Sequence, residues 1–354
     1  MEPKPTPSRL SLRDIAKILN ISHSTVSLAL RNHPRISEAV REKVKQTALE
    51  LGYRPDPMLA ALSHYRKSKS DQPISAELAW INAWKQPKDL RSYKEFDLYW
   101  KGASAAATKF GYRLEEFCLG GDLTPKRLHQ ILSTRGIRGL LLPPHQQQPD
   151  WGNFPWEEYS IVRFGRSLQT PQSHIVTADQ VANTILAFQK IRERGYRRIG
   201  FVTNEEDSRD RGQLFEAGYL IAQRMVAEDQ RLPIFMTNGY APGERRKAFA
   251  KWLEMHRPDA ILTEQIDFLN LLERAVPGTR IPEDLGLAVT SVLDGRADSG
   301  IDQNAEEIGR VGFLMLNSLI NDGARGIPKI FRQILVEGSW VDGTSLPIKT
   351  GGAG

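Results

Sequence analysis

A chain of 354 residues with one cysteine cannot be stapled by an internal disulfide and has no multi-cysteine metal site. That cysteine, Cys118, follows Phe117 and reads as a small buried hydrophobe. The seven histidines lie far apart, and no H-E-x-x-H, G-x-S-x-G or G-x-x-x-x-G-K-[ST] stretch occurs, so neither a metal, a cofactor nor an enzyme's catalytic group is expected. Glu115 and Glu116 are adjacent, which in a strand turns their carboxylates to opposite faces and excludes a dyad. No apolar run reaches about 18 residues, and MEPKPTPSRL at the start has no apolar h-region, so a cytoplasmic protein is expected. Excess positive charge is also missing from most of the chain. Residues 1–70 hold thirteen Lys or Arg against six Asp or Glu, whereas the rest holds 35 against 36. A basic head on a near-neutral body is the electrostatic footprint of a nucleic-acid binder, because bound Lys and Arg release counterions condensed on phosphates.

What is present in the head is three helical patterns between Ser11 and Gly52. SLRDIAKILN opens with Ser11 and Asp14 at capping-box spacing, sets Leu12, Ile15, Ala16 and Leu19 on one face, and ends at Asn20, which tolerates a left-handed turn. The second helix has Ser22 as N-cap, turns Val26, Ala29 and Leu30 inward, and leaves His23, Ser24, Ser27, Leu28 and Arg31 outside. The third starts at Ser37, buries Val40, Val44, Ala48 and Leu51, and stops at Gly52. Two helices joined by a short turn and closed by a third predict a helix-turn-helix unit whose second helix enters the major groove.

LRDIAKILNISHSTVSLALRNHPRISEAVREKVKQTALELGYRP resembles the N-terminal domain of the lac repressor family of bacterial transcription regulators. It carries that family's D-I-A, V-S-x-x-T-V-S-like, I-S-x-x-V-R-x-x-V and L-G-Y-x-P blocks in order and at its spacing. The resemblance implies base contacts at His23, Ser24 and Leu28 and phosphate-positioning roles for Ser22, Thr25 and Ser27. Leu28 stands where Arg or His is usual, and Arg31 where Asn is usual. The stretch DPMLAALSHYRKSKS then resembles the family's hinge helix, with Leu62 at the position of the wedge that opens a base step in the minor groove. The expected organisation is a head over residues 1–55, hinge and linker over 56–73, an effector-binding and dimerisation domain over 74–346, and a flexible tail over 347–354.

The body alternates short apolar runs with amphipathic helices, from LAWINAW through GIRGLLLPP, YSIVRF, RRIGFVT and RPDAILT to LGLAVTSV, which predicts parallel α/β sheets in two doubly wound subdomains. It resembles the periplasmic-binding-protein-like core of the same family. A homodimer on a palindromic double-stranded DNA operator and a small, sugar-like effector in the cleft between subdomains are what this resemblance implies. By the same resemblance Asp294, or Glu264 with Gln265, substitutes for altered ligand-binding blocks, and Arg209 or Arg211 falls in a loop where the family places an effector-contacting arginine. Trp80, Trp84, Tyr99 and Trp100 fall near the cleft mouth, with Trp80 a stacking candidate. A small-molecule binding protein with no DNA role, and an α/β enzyme, remain open as alternatives on the residues alone.

Leu28 cannot donate to guanine O6 or N7 but can touch a thymine methyl. The half-site is therefore expected to prefer A·T where Arg would read guanine. Leu28→Arg should change base preference at that one position in DNA selected from a random pool, and an unaltered selected motif refutes the assignment.

Overall fold

The computed structural model describes residues 11–30, 36–51, 53, 76–204, 213–241 and 243–349. Arg31, Leu62, Arg209, Arg211 and the linker segment expected at 56–73 lie outside the described residues.

The head is three short helices: α1 (Leu12–Leu19), α2 (His23–Leu30) and α3 (Glu38–Glu50). The Ser11–Asp14 pair closes as its spacing predicts, with the Asp14 carboxylate accepting the Ser11 N–H at 2.9 Å. Asn20 takes the left-handed conformation, φ 51°, which turns the chain into α2. Ile15, Ala16, Val26, Ala29, Val44 and Ala48 form the buried core, and Leu30, Val40 and Leu51 cover it half-buried. Three of those six are alanines, and two of them, Ala16 on α1 and Ala29 on α2, let these helices approach closely.

The body consists of two six-stranded sheets. The first runs in the order β11-β5-β4-β3-β1-β2, all parallel: β1 (Ala76–Asn82), β2 (Tyr112–Cys118), β3 (Gly139–Leu142), β4 (Ser160–Phe164), β5 (His174–Ala178) and β11 (Gln333–Val336). The second runs β12-β10-β9-β8-β6-β7: β6 (Ile199–Thr203), β7 (Phe235–Met236), β8 (Ala260–Thr263), β9 (Gly286–Val289), β10 (Gly300–Asp302) and β12 (Ser339–Val341), with only β12 antiparallel. Strands β3, β4 and β5 are buried along their whole length, as parallel strands covered by helices on both faces must be. The covering helices are α4 (Pro87–Leu90), α5 (Lys94–Lys109), α6 (Pro125–Thr134), α7 (Gln180–Glu193), α8 (Leu214–Ala222), α9 (Glu244–His256), α10 (Phe268–Ala275) and α11 (Ala305–Asp322).

The chain passes between the two lobes three times, after β5, after β10 and after β11. These crossings run side by side and are hydrogen-bonded to one another. The Asp179 N–H donates to the Val336 carbonyl at 2.9 Å, the Gly338 N–H to Asn183 Oδ1 at 2.7 Å, and Asn304 Nδ2 to the Glu337 carbonyl at 2.8 Å. A Cβ at Gly338 would stand 2.6 Å from Ile301 Cγ2 and 2.7 Å from the Asp302 carbonyl, so glycine is required where the crossings meet.

Three expectations are corrected. Cys118 is exposed rather than buried, because it ends β2, an edge strand of the sheet. Trp80 is fully buried in the first lobe's core, 5.3 Å from Phe164 and 5.6 Å from Trp100 by ring centroids, and so faces no cleft. The segment expected to be a loose tail is docked as far as Lys349. Its N–H donates to the Arg194 carbonyl at 2.9 Å and its ammonium meets Asp259 at 2.8 Å.

Helices α5 and α11 touch backbone to backbone. A Cβ at Gly102 would lie 1.9 Å from the Glu306 carbonyl oxygen, and one at Gly309 would lie 2.1 Å from that of Tyr99. Since neither contact is with a movable side chain, Gly309→Ala should cost at least about 2 kcal/mol by forcing the helices apart. Urea denaturation of the purified variant measures this, and an unchanged midpoint contradicts the packing.

Candidate functional site

On α2, His23 and Ser24 are exposed at the helix's first turn, Thr25, Ser27 and Leu28 are half-buried, and Val26 and Ala29 point into the head's core. Ser22 is committed to the helix start: its Oγ accepts the Thr25 N–H at 3.0 Å and pairs with the Thr25 hydroxyl at 2.8 Å. The N-terminal end of α2 therefore presents its positive dipole with a histidine and a small hydroxyl, a surface on which a phosphate or a base edge can sit.

In the body a cavity of about 460 Å³ opens between the lobes at the carboxyl ends of the strands, where ligands bind in doubly wound sheets. The first lobe lines it with Trp84 beyond β1, Tyr93, Phe96 and Tyr99 around the start of α5, His145 beyond β3, and Arg166 and Ser167 beyond β4. The second lobe contributes Phe215, Glu264 and Gln265 beyond β8, and Ser291 and Asp294 beyond β9. The end of β5 adds Thr177, and the crossings add Gln180 and Gln303.

Of the residues singled out from sequence, Trp84, Tyr99, Glu264, Gln265 and Asp294 meet in this cavity, while Trp80 and Trp100 do not line it. Trp100 instead lies under the Arg91 guanidinium, 4.2 Å from the ring centroid. Glu264 is held by the Thr203 hydroxyl, which donates to Oε1. Both oxygens of Asp294 accept backbone N–H groups, from Lys94 at 2.8 Å and Glu95 at 3.2 Å.

Sequence reasoning missed His145, Arg166 and Gln180, because each follows a strand end with no motif around it. His145 is buried, and its Nε2 accepts the Ala83 N–H at 3.1 Å, which puts the ring proton on Nδ1. Burial pushes its pKa down to about 4, opposed only partly by the Pro143 backbone, so the ring is neutral. Trp84 is locked beside it by Nε1 donating to the Pro144 carbonyl at 2.8 Å. Burial also lowers the pKa of the Arg166 guanidinium, which donates to Gln333 at 2.7 Å. Three buried polar atoms on the cavity wall have no partner in the protein: Nδ1 of His145, Oε1 of Gln180 and Oγ of Ser291. One donor, one acceptor and one hydroxyl left bare are costly in a dry wall and point to a ligand that completes them. Among the described residues no group of three or more His, Cys, Asp or Glu is arranged to hold a metal ion, and no helix is long and apolar enough to cross a membrane.

Residues 11–56 match the family model for bacterial regulatory proteins of the lacI family, and residues 188–346 that for a periplasmic binding protein-like domain. The transcriptional regulator MalR of Streptococcus pneumoniae is 24% identical over 341 residues, 92% of this chain and 97% of its own length. The transcriptional repressor CytR of Escherichia coli is 25% identical over 334 residues, 89% and 91% of the two chains. A solved complex of the transcriptional regulator CelR with cellobiose superposes with a TM-score of 0.53 at 19% identity, over 95% of this chain and all of that one, and so shares the fold.

Because His145 folds with its pKa depressed, the unfolded chain binds a proton between about pH 6.5 and pH 4 that the native chain refuses. Stability from this group is complete above pH 6.5 and falls as pH drops through that window, by up to about 3 kcal/mol. His145→Gln, which keeps an acceptor for Ala83, should flatten the decline in urea titrations between pH 7 and pH 4. An equally steep decline in the variant means that other groups cause it.

Proposed function

We propose, from the matches of residues 11–56 to the lacI-family model and of residues 188–346 to the periplasmic binding protein-like model, that this chain is a DNA-binding transcription regulator of the lacI family and not an enzyme, that it represses from a palindromic operator, and that it responds to a small molecule held between its lobes. Each head reads one half-site, so the working unit is a homodimer whose twofold axis matches the operator's. Ser22, His23, Ser24, Thr25, Ser27 and Leu28 on or next to α2, with Arg31 and Leu62, are its proposed DNA contacts, and residues 56–73 join head to body. The cytoplasm is its proposed place of action.

The observation that carries the effector reading is the set of three unpartnered buried polar atoms, of His145, Gln180 and Ser291, lining a cavity between two lobes. A ligand satisfying groups on both sides has a higher affinity for the closed arrangement and shifts the lobes toward it. Glu264, Gln265, Arg209 and Arg211 are further proposed contacts, and the aromatic wall of Trp84, Tyr93 and Phe96 suits the apolar face of a ring. Cellobiose in the CelR complex is a ligand of that protein, and a sugar-like molecule is the class proposed here.

Selection of duplex DNA from a random pool tests the reading directly. A palindromic motif should be enriched, and repeating the selection with a panel of sugars and nucleosides should reveal one that changes the yield at least tenfold. Enrichment of no motif refutes the DNA role; an operator whose affinity is indifferent to every compound that raises the protein's Tm refutes the effector role.

A further inference from the structure

Helix α5 spans Lys94–Lys109 in the first lobe, yet its N-cap residue, Tyr93, makes no side-chain capping bond. The cap comes from the second lobe. Asp294, in the turn beyond β9, places one carboxylate oxygen 2.8 Å from the Lys94 N–H and the other 3.2 Å from the Glu95 N–H, two of the donors that a helix start leaves open. Its neighbour Leu293, half-buried, packs against the first lobe's core cluster. The turn that carries both is tight. The Gly295 N–H donates to the Ser291 carbonyl at 3.0 Å, and a Cβ on Gly295 would come within 2.6 Å of that same oxygen. This finger of the second lobe thus reaches the first lobe at a place separate from the hydrogen-bonded crossings, with one apolar contact and one charged cap.

We propose that Asp294 is an interlobe latch: it holds the cleft closed by capping α5 of the opposite lobe. Each of its carboxylate oxygens accepts one of the two N–H groups, and the negative charge complements the positive end of a sixteen-residue helix. Opening the cleft breaks both bonds together and leaves the first turn of α5 uncapped, so lobe separation and the order of that turn change as one. Because α5 contacts α11 backbone to backbone through Gly102 and Gly309, a change at its first turn is passed into a rigid helix pair. The latch rests on these contacts alone and stands whether or not the cavity takes an effector.

The distance between lobes provides the test. Spin labels on Cys118, which is exposed at the end of β2 in the first lobe, and on Glu254→Cys, exposed on α9 in the second, report lobe separation by pulsed electron resonance in the full-length protein, mixed with an excess of unlabelled Cys118→Ser chain so that only pairs within one chain are read. The parent should show mainly one short distance. Asp294→Ala should transfer at least half of the population to a distance longer by several ångströms, and Asp294→Asn, which keeps one acceptor oxygen, should fall between the two. A distribution in Asp294→Ala superimposable on the parent's overturns the proposal. Should the alanine variant fail to fold, the asparagine variant decides: a mixed distribution supports the latch, and the parent's distribution overturns it.

Discussion

Three passages of chain between two lobes, hydrogen-bonded side by side, are the constraint on which the rest of the body depends. A single linker would let the lobes swivel freely. Three crossings tied by Asp179 to Val336, Gly338 to Asn183 and Asn304 to Glu337 confine them to bending about one line. The need for glycine at position 338 comes from the same crowding, since Ile301, Asp302 and Asn183 converge there. A cleft built beside such a hinge has two well-defined walls, and a change in its width is a single coordinate that binding can shift.

The chemistry of those walls follows from burial. His145 is neutral because its site is too dry for a charge, and as a neutral ring it offers one fixed N–H, set by the bond its other nitrogen accepts from Ala83. Arg166 and Glu264 bring charge to the wall but each is already bonded within the protein, to Gln333 and Thr203. The same cavity is lined by an aromatic run, Trp84, Tyr93, Phe96 and Tyr99, with neighbouring ring centroids 5.3 to 5.8 Å apart. Directional polar groups facing an apolar ring wall select a ligand by shape and hydrogen-bond pattern more than by charge.

In the head the division of labour is simpler. The residues that make it fold, from Ile15 to Ala48, are small and aliphatic, and the first turn of α2 is left with exposed side chains whose only local duty is Ser22 at the cap. Val26 and Ala29 face the core and Leu28 is not among the residues packed on it, so Leu28 can change without disturbing the fold of the head.

The head was legible in the sequence almost residue by residue, since caps, turns and helix faces are local and their spacing is written along the chain: Ser11 with Asp14, Asn20, Ser22, then Val26 and Ala29. So was the parallel α/β character of the body, because strands covered on both faces must be apolar throughout. Two facing lobes with a cleft at their strand ends followed from the resemblance together with that pattern. The occupants of the cleft did not. Trp80 and Trp84 sit four residues apart on one apolar run, and only the end of β1 decides that the first is core and the second is wall. Asp294 and Lys94 are 200 residues apart, and nothing near either one announces that a carboxylate will cap a helix in the other lobe. Local patterns set which elements form, because hydrogen bonding within a helix and burial of a strand are decided over a few residues. Which side chains confront each other across the cleft was decided only when three crossings brought the two sheets together, since that contact depends on the closure of loops whose ends lie far apart in the chain.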